Sequence, residues 1–352
     1  MIQDPSPKRT PLEELGEFAL IERLTSMVEL TQDSSVLGVG DDAAIVNHGG
    51  EDSLLSTDML VEGIHFDLAY MPLKHLGYKA AVVNFSDIYA MNGQPTQLLV
   101  SLAASNRFPV EALEEIYEGL NLACAKYGVD LVGGDSTSSM SGLVLSLTAI
   151  GKVAKGCAVT RSGAQPNDLI VVTGDLGSAY MGLQILRREK VTFEADPNMQ
   201  PDLQGHAYVL ERQLKPEARQ DIAALLSDLD VTPTSMIDVS DGLSSELLHL
   251  CKQSDTGCSI FEDKLPIDPA AIKLCEEFGV HPATAALNGG EDYELLFTVS
   301  IKDWDKIKGN PNLTAIGHMS ESSNGCHMIN KGDQSVPLTA QGWTAFGQED
   351  NA

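Results

Sequence analysis

Acidic residues interrupt the apolar runs of this chain again and again, and their placement constrains the fold more than any other feature. "LGVGDDAAIV" carries Asp41 and Asp42, "LSTDML" Asp58, "NFSDIY" Asp87 and "LVGGDSTSS" Asp135. "VVTGDLGSA" carries Asp175, "MIDVSDGLSSEL" Asp238 and Asp241, and "NGGEDYELLF" Glu291 and Asp292. Most sit beside glycine or serine at the edge of an apolar run. One such island reads as a turn or an Asx hydrogen bond, and Asp241 alone reads as the N-cap of a following helix. The set asks for more. Adjacent carboxylates such as Asp41 and Asp42 repel unless a cation offsets the charge. Hard cations such as Mg2+ take oxygen ligands and bridge carboxylates to substrate phosphates. "TGDLGSAYMGL" and "DVSDGLSSEL" both have the strand–turn–helix form whose amides favour anions. The local chemistry therefore points to phosphates held by metals and amides.

Bulk composition narrows the setting. The chain has 352 residues, enough for one large or two ordinary domains, and 43% hydrophobic content fills a real core. A net charge of -27 argues against a nucleic-acid or anionic-membrane surface, which needs a basic patch. No apolar run approaches the ~20 residues of a membrane helix, and "MIQDPSPKRTPLEEL" has no apolar signal-peptide core. Six cysteines (124, 157, 251, 258, 275 and 326) form no CxxC pair and read as small buried hydrophobes in a reducing, cytosolic setting.

Patterning predicts interleaved helices and strands in both halves, which leaves α/β and α+β open. A first helix is signalled by Thr10 as N-cap, Pro11 and Glu13, with an apolar stripe through Leu15, Phe18, Leu24 and Val28. Helices are expected over 72–92, stopped by Gly93, over 111–127, stopped by Gly128, and over 178–189. "VLGVG", "SLLST", "QLLVSLAAS", "LVLSLTAIGKV", "LIVVTG" and "DYELLFTVS" read as strands or contain them. The polar stretch "GCAVTRSGAQPND" is the expected domain junction, and residues 190–207 read as a loop or insertion.

The chain has no GxxxxGK[ST] loop and no set of kinase motifs. Its acidic islands carry almost no lysine or arginine, Arg161 in "TRSG" being the exception. A triphosphate bound without lysine needs several Mg2+ ions to neutralise it. "GVGDDAA", "STDMLVEGIHF", "YKAAVVNFSDIYAM", "LVGGDSTS", "TRSGAQPND", "DVSDGL" and "GGEDYELLFTV" occur in this order. Together, from residue 16 to 347, they resemble the thiamine-monophosphate kinase family, within the superfamily of aminoimidazole-ribonucleotide synthetase-like ATP enzymes.

That resemblance implies a two-domain fold mixing α+β and α/β character. Residues 1–157 would form an N-terminal Mg/ATP-binding half that dimerises through its β-sheet, and 158–352 an α/β half completing the ATP and substrate site. It implies transfer of a phosphoryl group from ATP to thiamine monophosphate, the last step of thiamine diphosphate biosynthesis, with several Mg2+ ions, in a cytoplasmic homodimer. By the same resemblance, Asp42, Ser56, Thr57, Asp58, Asp87, Asp135, Asp238 and Asp241 match metal positions. Gly134, Asp135, Arg161 and Ser240 match ATP positions. His65, Glu291 and Trp343 match positions that hold thiamine phosphate. The acceptor is an ionised phosphate, so no catalytic base is assigned and in-line transfer depends on positioning and charge neutralisation. Relatives with a reactive N-terminal or C-terminal cysteine fit less well: the first cysteine is Cys124 and the chain ends "GQEDNA". A non-catalytic nucleotide sensor on this scaffold would have lost part of the metal set, and every matched position keeps an oxygen ligand.

Overall fold

A computed structural model describes residues 35–37, 40–47, 49–196 and 198–342. The expected helix around Thr10 to Val28, and Trp343, lie outside the described residues. Two sheets organise the rest. The first contains β1 (Ser35–Leu37), β2 (Ala44–Asn47), β3 (Glu51–Val61), β4 (Gln94–Ala104), β5 (Asp130–Ser138) and β6 (Val144–Ala154), in the order β1-β2-β3-β6-β4-β5. Its long central strands alternate buried and open residues, as in β6, where Leu145, Leu147 and Ala149 are wholly buried.

Helices α1 (Leu73–Ala90) and α2 (Val110–Tyr127) belong to this half. They cross backbone on backbone. A Cβ on Gly77 would lie 1.9 Å from the Ile116 carbonyl oxygen, and one on Gly119 would lie 1.9 Å from that of Lys74. Gly128 ends α2 in the left-handed conformation, as the sequence predicts. The end of α1 differs from expectation. Asn92 takes the left-handed conformation, and Gly93 is needed because a side chain there would meet Leu54.

The second sheet contains β7 (Leu169–Thr173), β8 (Ser235–Asp238), β9 (Thr256–Phe261), β10 (Leu295–Val299), β11 (Leu313–Glu321), β12 (Cys326–Ile329) and β13 (Ser335–Pro337), ordered β13-β12-β9-β11-β7-β10-β8. All its pairings are antiparallel except β9 with β12. Around it lie α3 (Ser178–Ala195), α4 (Ala207–Leu214), α5 (Gln220–Asp228), α6 (Leu243–Ser254), α7 (Pro269–Phe278), α8 (Pro282–Asn288) and α9 (Ile301–Ile307). The expected loop at 190–207 is corrected: α3 continues through residue 195.

The chain passes from the first sheet to the second between Ala154 and Leu169, across the expected junction. The halves then dock along α1. Buried Lys79 donates to the Gln213 carbonyl at 3.0 Å, and Ser86 donates to the Asp238 carboxylate at 2.5 Å. The hydroxyls of Tyr78 and Tyr127 both donate to Glu217 at 2.7 Å. Among the described residues no helix is long and apolar enough to cross a membrane.

Candidate active site

The docking of the halves closes an acidic centre. Asp42 follows β1, Asp87 sits on α1 and Asp238 ends β8. One carboxylate oxygen from each lies within 4.8 Å of the other two. Burial and the charge of Asp42 push the Asp238 carboxyl up to about 8. Burial, then Asp58, Asp238 and Asp42, hold Asp87 well above the usual carboxylate range. Burial pushes Asp58 up to about 6. These carboxylates are short of positive charge, and their all-oxygen donor set suits a hard cation.

Hydroxyls fix the carboxylates from behind. Ser56 on β3 donates to Asp87, Ser86 donates to Asp238, and the Asp58 amide donates to the Asn84 side chain at 3.2 Å. Asp41 and Asp42 divide one partner. The Arg161 guanidinium grips Asp42 through two bonds of 3.1 and 2.9 Å, while its main-chain N–H donates to Asp41 at 3.1 Å. Burial and Asp42 still raise Asp41 to about 6.

A second loop lies against this centre. Glu291 and Tyr293 both have left-handed backbones, at φ 57° and 51°. They are held there by main-chain bonds: Glu291 N–H to the Ser240 carbonyl at 2.6 Å and Tyr293 N–H to the Val239 carbonyl at 2.9 Å. The turn at 239–242 and the "GGEDY" loop are thus stitched together. Burial raises the Tyr293 hydroxyl, and Glu291, Asp58, Asp238 and Asp241 raise it further, so this ring lies among carboxylates from both halves. Glu291 itself meets the Lys79 ammonium at 2.9 Å and accepts from Gln213 at 2.6 Å.

Not every matched residue converges. On β3 the side chains alternate, so Thr57 faces away from Ser56 and Asp58; its hydroxyl donates to the Leu147 carbonyl at 2.8 Å. Gly134 and Asp135 lie on β5, three strand steps or roughly 14 Å from β3. Asp135 shares a cross-sheet row with Ser101, Ser146 and Met59, on the open face. His65 sits in the turn after β3 and accepts the Val61 amide on Nδ1 at 3.1 Å, which places the proton of a neutral ring on Nε2.

One of the two helix starts that the sequence offers to phosphate is filled by the protein's own carboxylate. Asp292, wholly buried, accepts the Gly177 amide at 2.8 Å and that of Ala179 at 3.4 Å at the start of α3. Asp175 in the same turn accepts from Ser178 and Tyr208. The expected Asp241 cap is also corrected: Gly242 is the N-cap of α6, and the Asp241 amide donates to buried Glu246 at 2.8 Å. Asn84, Ser86, Lys79, Glu246 and Tyr293 were not singled out from the sequence. Only Tyr293, a bulky residue inside an acidic glycine motif, left a visible signal.

Comparison with known proteins agrees with this architecture. A family model described as AIR synthase related protein, N-terminal domain, matches residues 40–153. Thiamine-monophosphate kinase of Bacillus subtilis is 36% identical over 94% of this chain and 100% of its own length. The enzyme of that name from Escherichia coli K12 is 36% identical over 94% and 98%. The solved structure of AaThiL complexed with AMPPCP and TMP superposes with a TM-score of 0.81 at 32% identity, covering 96% of this chain and 100% of that one. A HypE–HypF complex, at 19% identity and a TM-score of 0.69, shares the fold. The acidic centre between two docked halves thus sits on a scaffold that matches these relatives over nearly its full length, and the chain belongs to the thiamine-monophosphate kinase family.

Proposed function

We propose that this protein transfers the γ-phosphoryl group of ATP to the phosphate of thiamine monophosphate, giving thiamine diphosphate and ADP by direct in-line displacement. The observation that carries the reading is the convergence of Asp42, Asp87 and Asp238, from both halves, within 4.8 Å. Their hard oxygen donors fit Mg2+, with Asp58, Asp241, the Ser56 hydroxyl and the Thr57 carbonyl as further donors. When bound, Mg2+ would neutralise the two phosphates, which otherwise repel by about 4 kcal/mol per charge pair at ~4 Å and an effective dielectric near 20.

The chain's own residues orient the reactants. Arg161, anchored by Asp42, meets the ATP phosphates, with Ser240 and the Gly134–Asp135 segment completing the nucleotide site. Glu291, His65 and Trp343 hold thiamine phosphate. Glu291 hydrogen-bonds the aminopyrimidine, and the Lys79 ammonium holds its carboxylate in place. Trp343 stacks on the ring. The acceptor oxygen is already ionised, so no side chain has to remove a proton.

This reading keeps residues 1–157 as the Mg/ATP-binding and dimerising half and 158–352 as the half that completes the site. Met59, Leu99 and Val132 are exposed on the first sheet, which supports a homodimer built on that face and enclosing Asp135. All six cysteines are free thiols, in keeping with a reducing cytoplasm.

The test is an endpoint assay. Purified protein, ATP and Mg2+ are incubated with thiamine monophosphate or with free thiamine, and the products are separated by chromatography. Thiamine diphosphate formed from the monophosphate is the expected result. Absence of product while ATP still binds would remove the acceptor assignment and the roles of His65, Glu291 and Trp343.

A further inference from the structure

Three cysteines that look unrelated in the sequence meet in the second half. Cys251 lies near the end of α6, Cys258 on β9 and Cys326 on β12, and their sulfurs all lie within 4.8 Å of one another. The meeting follows from topology. Cys258 and Cys326 are register partners in the one parallel pairing of the second sheet, so they share a face, and Cys251 packs onto that face in the same core cluster. Cys251 and Cys258 are buried, while Cys326 is half-buried and opens the group on one side.

The rest of the setting is soft. Met319 is the antiparallel partner of Cys258, and Met328 stands two residues along β12 from Cys326, so both belong to the same face and the same cluster. Among the described residues no histidine or carboxylate joins the three sulfurs. Metal–sulfur bonds of about 2.3 Å place three trigonal thiolates about 4 Å apart, and these sulfurs already lie within 4.8 Å of one another. Zinc normally takes four ligands. Thiolates and thioethers in low coordination select Cu(I).

We propose that Cys251, Cys258 and Cys326 form a three-sulfur site for one soft monovalent cation of the Cu(I) class. Binding releases the thiol protons of the three cysteines to solvent, and no electron changes hands. The site ties α6, β9 and β12 together. It stands about 12 Å along α6 from the end that faces Asp241, so it is separate from the phosphoryl-transfer centre.

The full-length reduced protein is titrated anaerobically with Cu(I) against a chromogenic Cu(I) chelator. One Cu(I) per chain, with near-ultraviolet thiolate-to-metal absorption, is the expected result. Cys326→Ser should weaken retention at least tenfold while phosphoryl transfer is unchanged. Cys157→Ser, at an exposed thiol outside the group, should leave retention as it was. Alkylation read by mass spectrometry on the unmutated chain decides the matter even if a variant does not fold: Cu(I) should protect Cys326 from iodoacetamide while Cys157 still reacts. No retention against the chelator, retention indifferent to Cys326→Ser, or no protection of Cys326 overturns the site. Equal protection by Zn2+ at the same concentration overturns the monovalent assignment.

Discussion

Asp87 and Asp238 make the stability of this protein depend on pH in an unusual direction. Both carboxyls are raised in the folded chain, Asp238 to about 8, by burial and by neighbouring carboxylates. The folded state therefore holds more protons than the unfolded state between the ordinary carboxylate range and that value. Their contribution is complete below about pH 4 and is lost as pH rises toward about 8. Without divalent metal, the melting temperature should fall between about pH 5 and about pH 8, and Asp87→Asn should flatten the fall. Added Mg2+ should restore stability at the alkaline end. A metal-free melting temperature that climbs through this window would contradict the electrostatics. The sequence pointed to the repulsion between Asp41 and Asp42 but not to its local answer. Arg161 lies 119 residues from Asp42, and nothing in the local pattern pairs them.

The start of α3 shows how an acidic glycine turn can be structural. Asp292 crosses from the "GGEDY" loop to accept the amides of Gly177 and Ala179, as an N-cap does from farther away in the chain. Asp292→Ala should destabilise the protein by roughly 1–3 kcal/mol, read as a lower urea midpoint, with Asp292→Asn recovering part of the loss. A midpoint unchanged by the alanine variant would show that the cap carries no weight. The same helix shows where patterning fails. Residues 191 and 193–195 are exposed, so the last turns of α3 leave no apolar stripe. Main-chain bonds and the Lys190–Glu194 pair accompany them instead, and neither has a periodic signature. By contrast, α2 carries a buried stripe and ends in Gly128, and it was legible almost to the residue.

Across the whole molecule, the acidic centre exists because α1 carries Asp87 into a seam where β8 delivers Asp238. Order along the chain revealed the motifs. It did not reveal that Thr57 and Asp135 would face away, because strand parity and sheet order are settled by pairing partners far off in sequence. The open face carrying Met59 and Asp135 belongs to the proposed dimer. Met59→Asp should convert a sedimenting dimer to monomer, and an unmutated chain that sediments as a monomer would contradict that surface. The most direct measurement is thiamine diphosphate formation from ATP and thiamine monophosphate across a Mg2+ titration, for the unmutated chain, Asp87→Asn and Asp238→Asn. Mg2+-dependent product is expected, with each variant slowed about 100-fold or more, the order of cost for removing one group that stabilises developing charge. Turnover by either variant within about threefold of the unmutated chain at limiting Mg2+ would contradict a shared carboxylate centre as the seat of phosphoryl transfer.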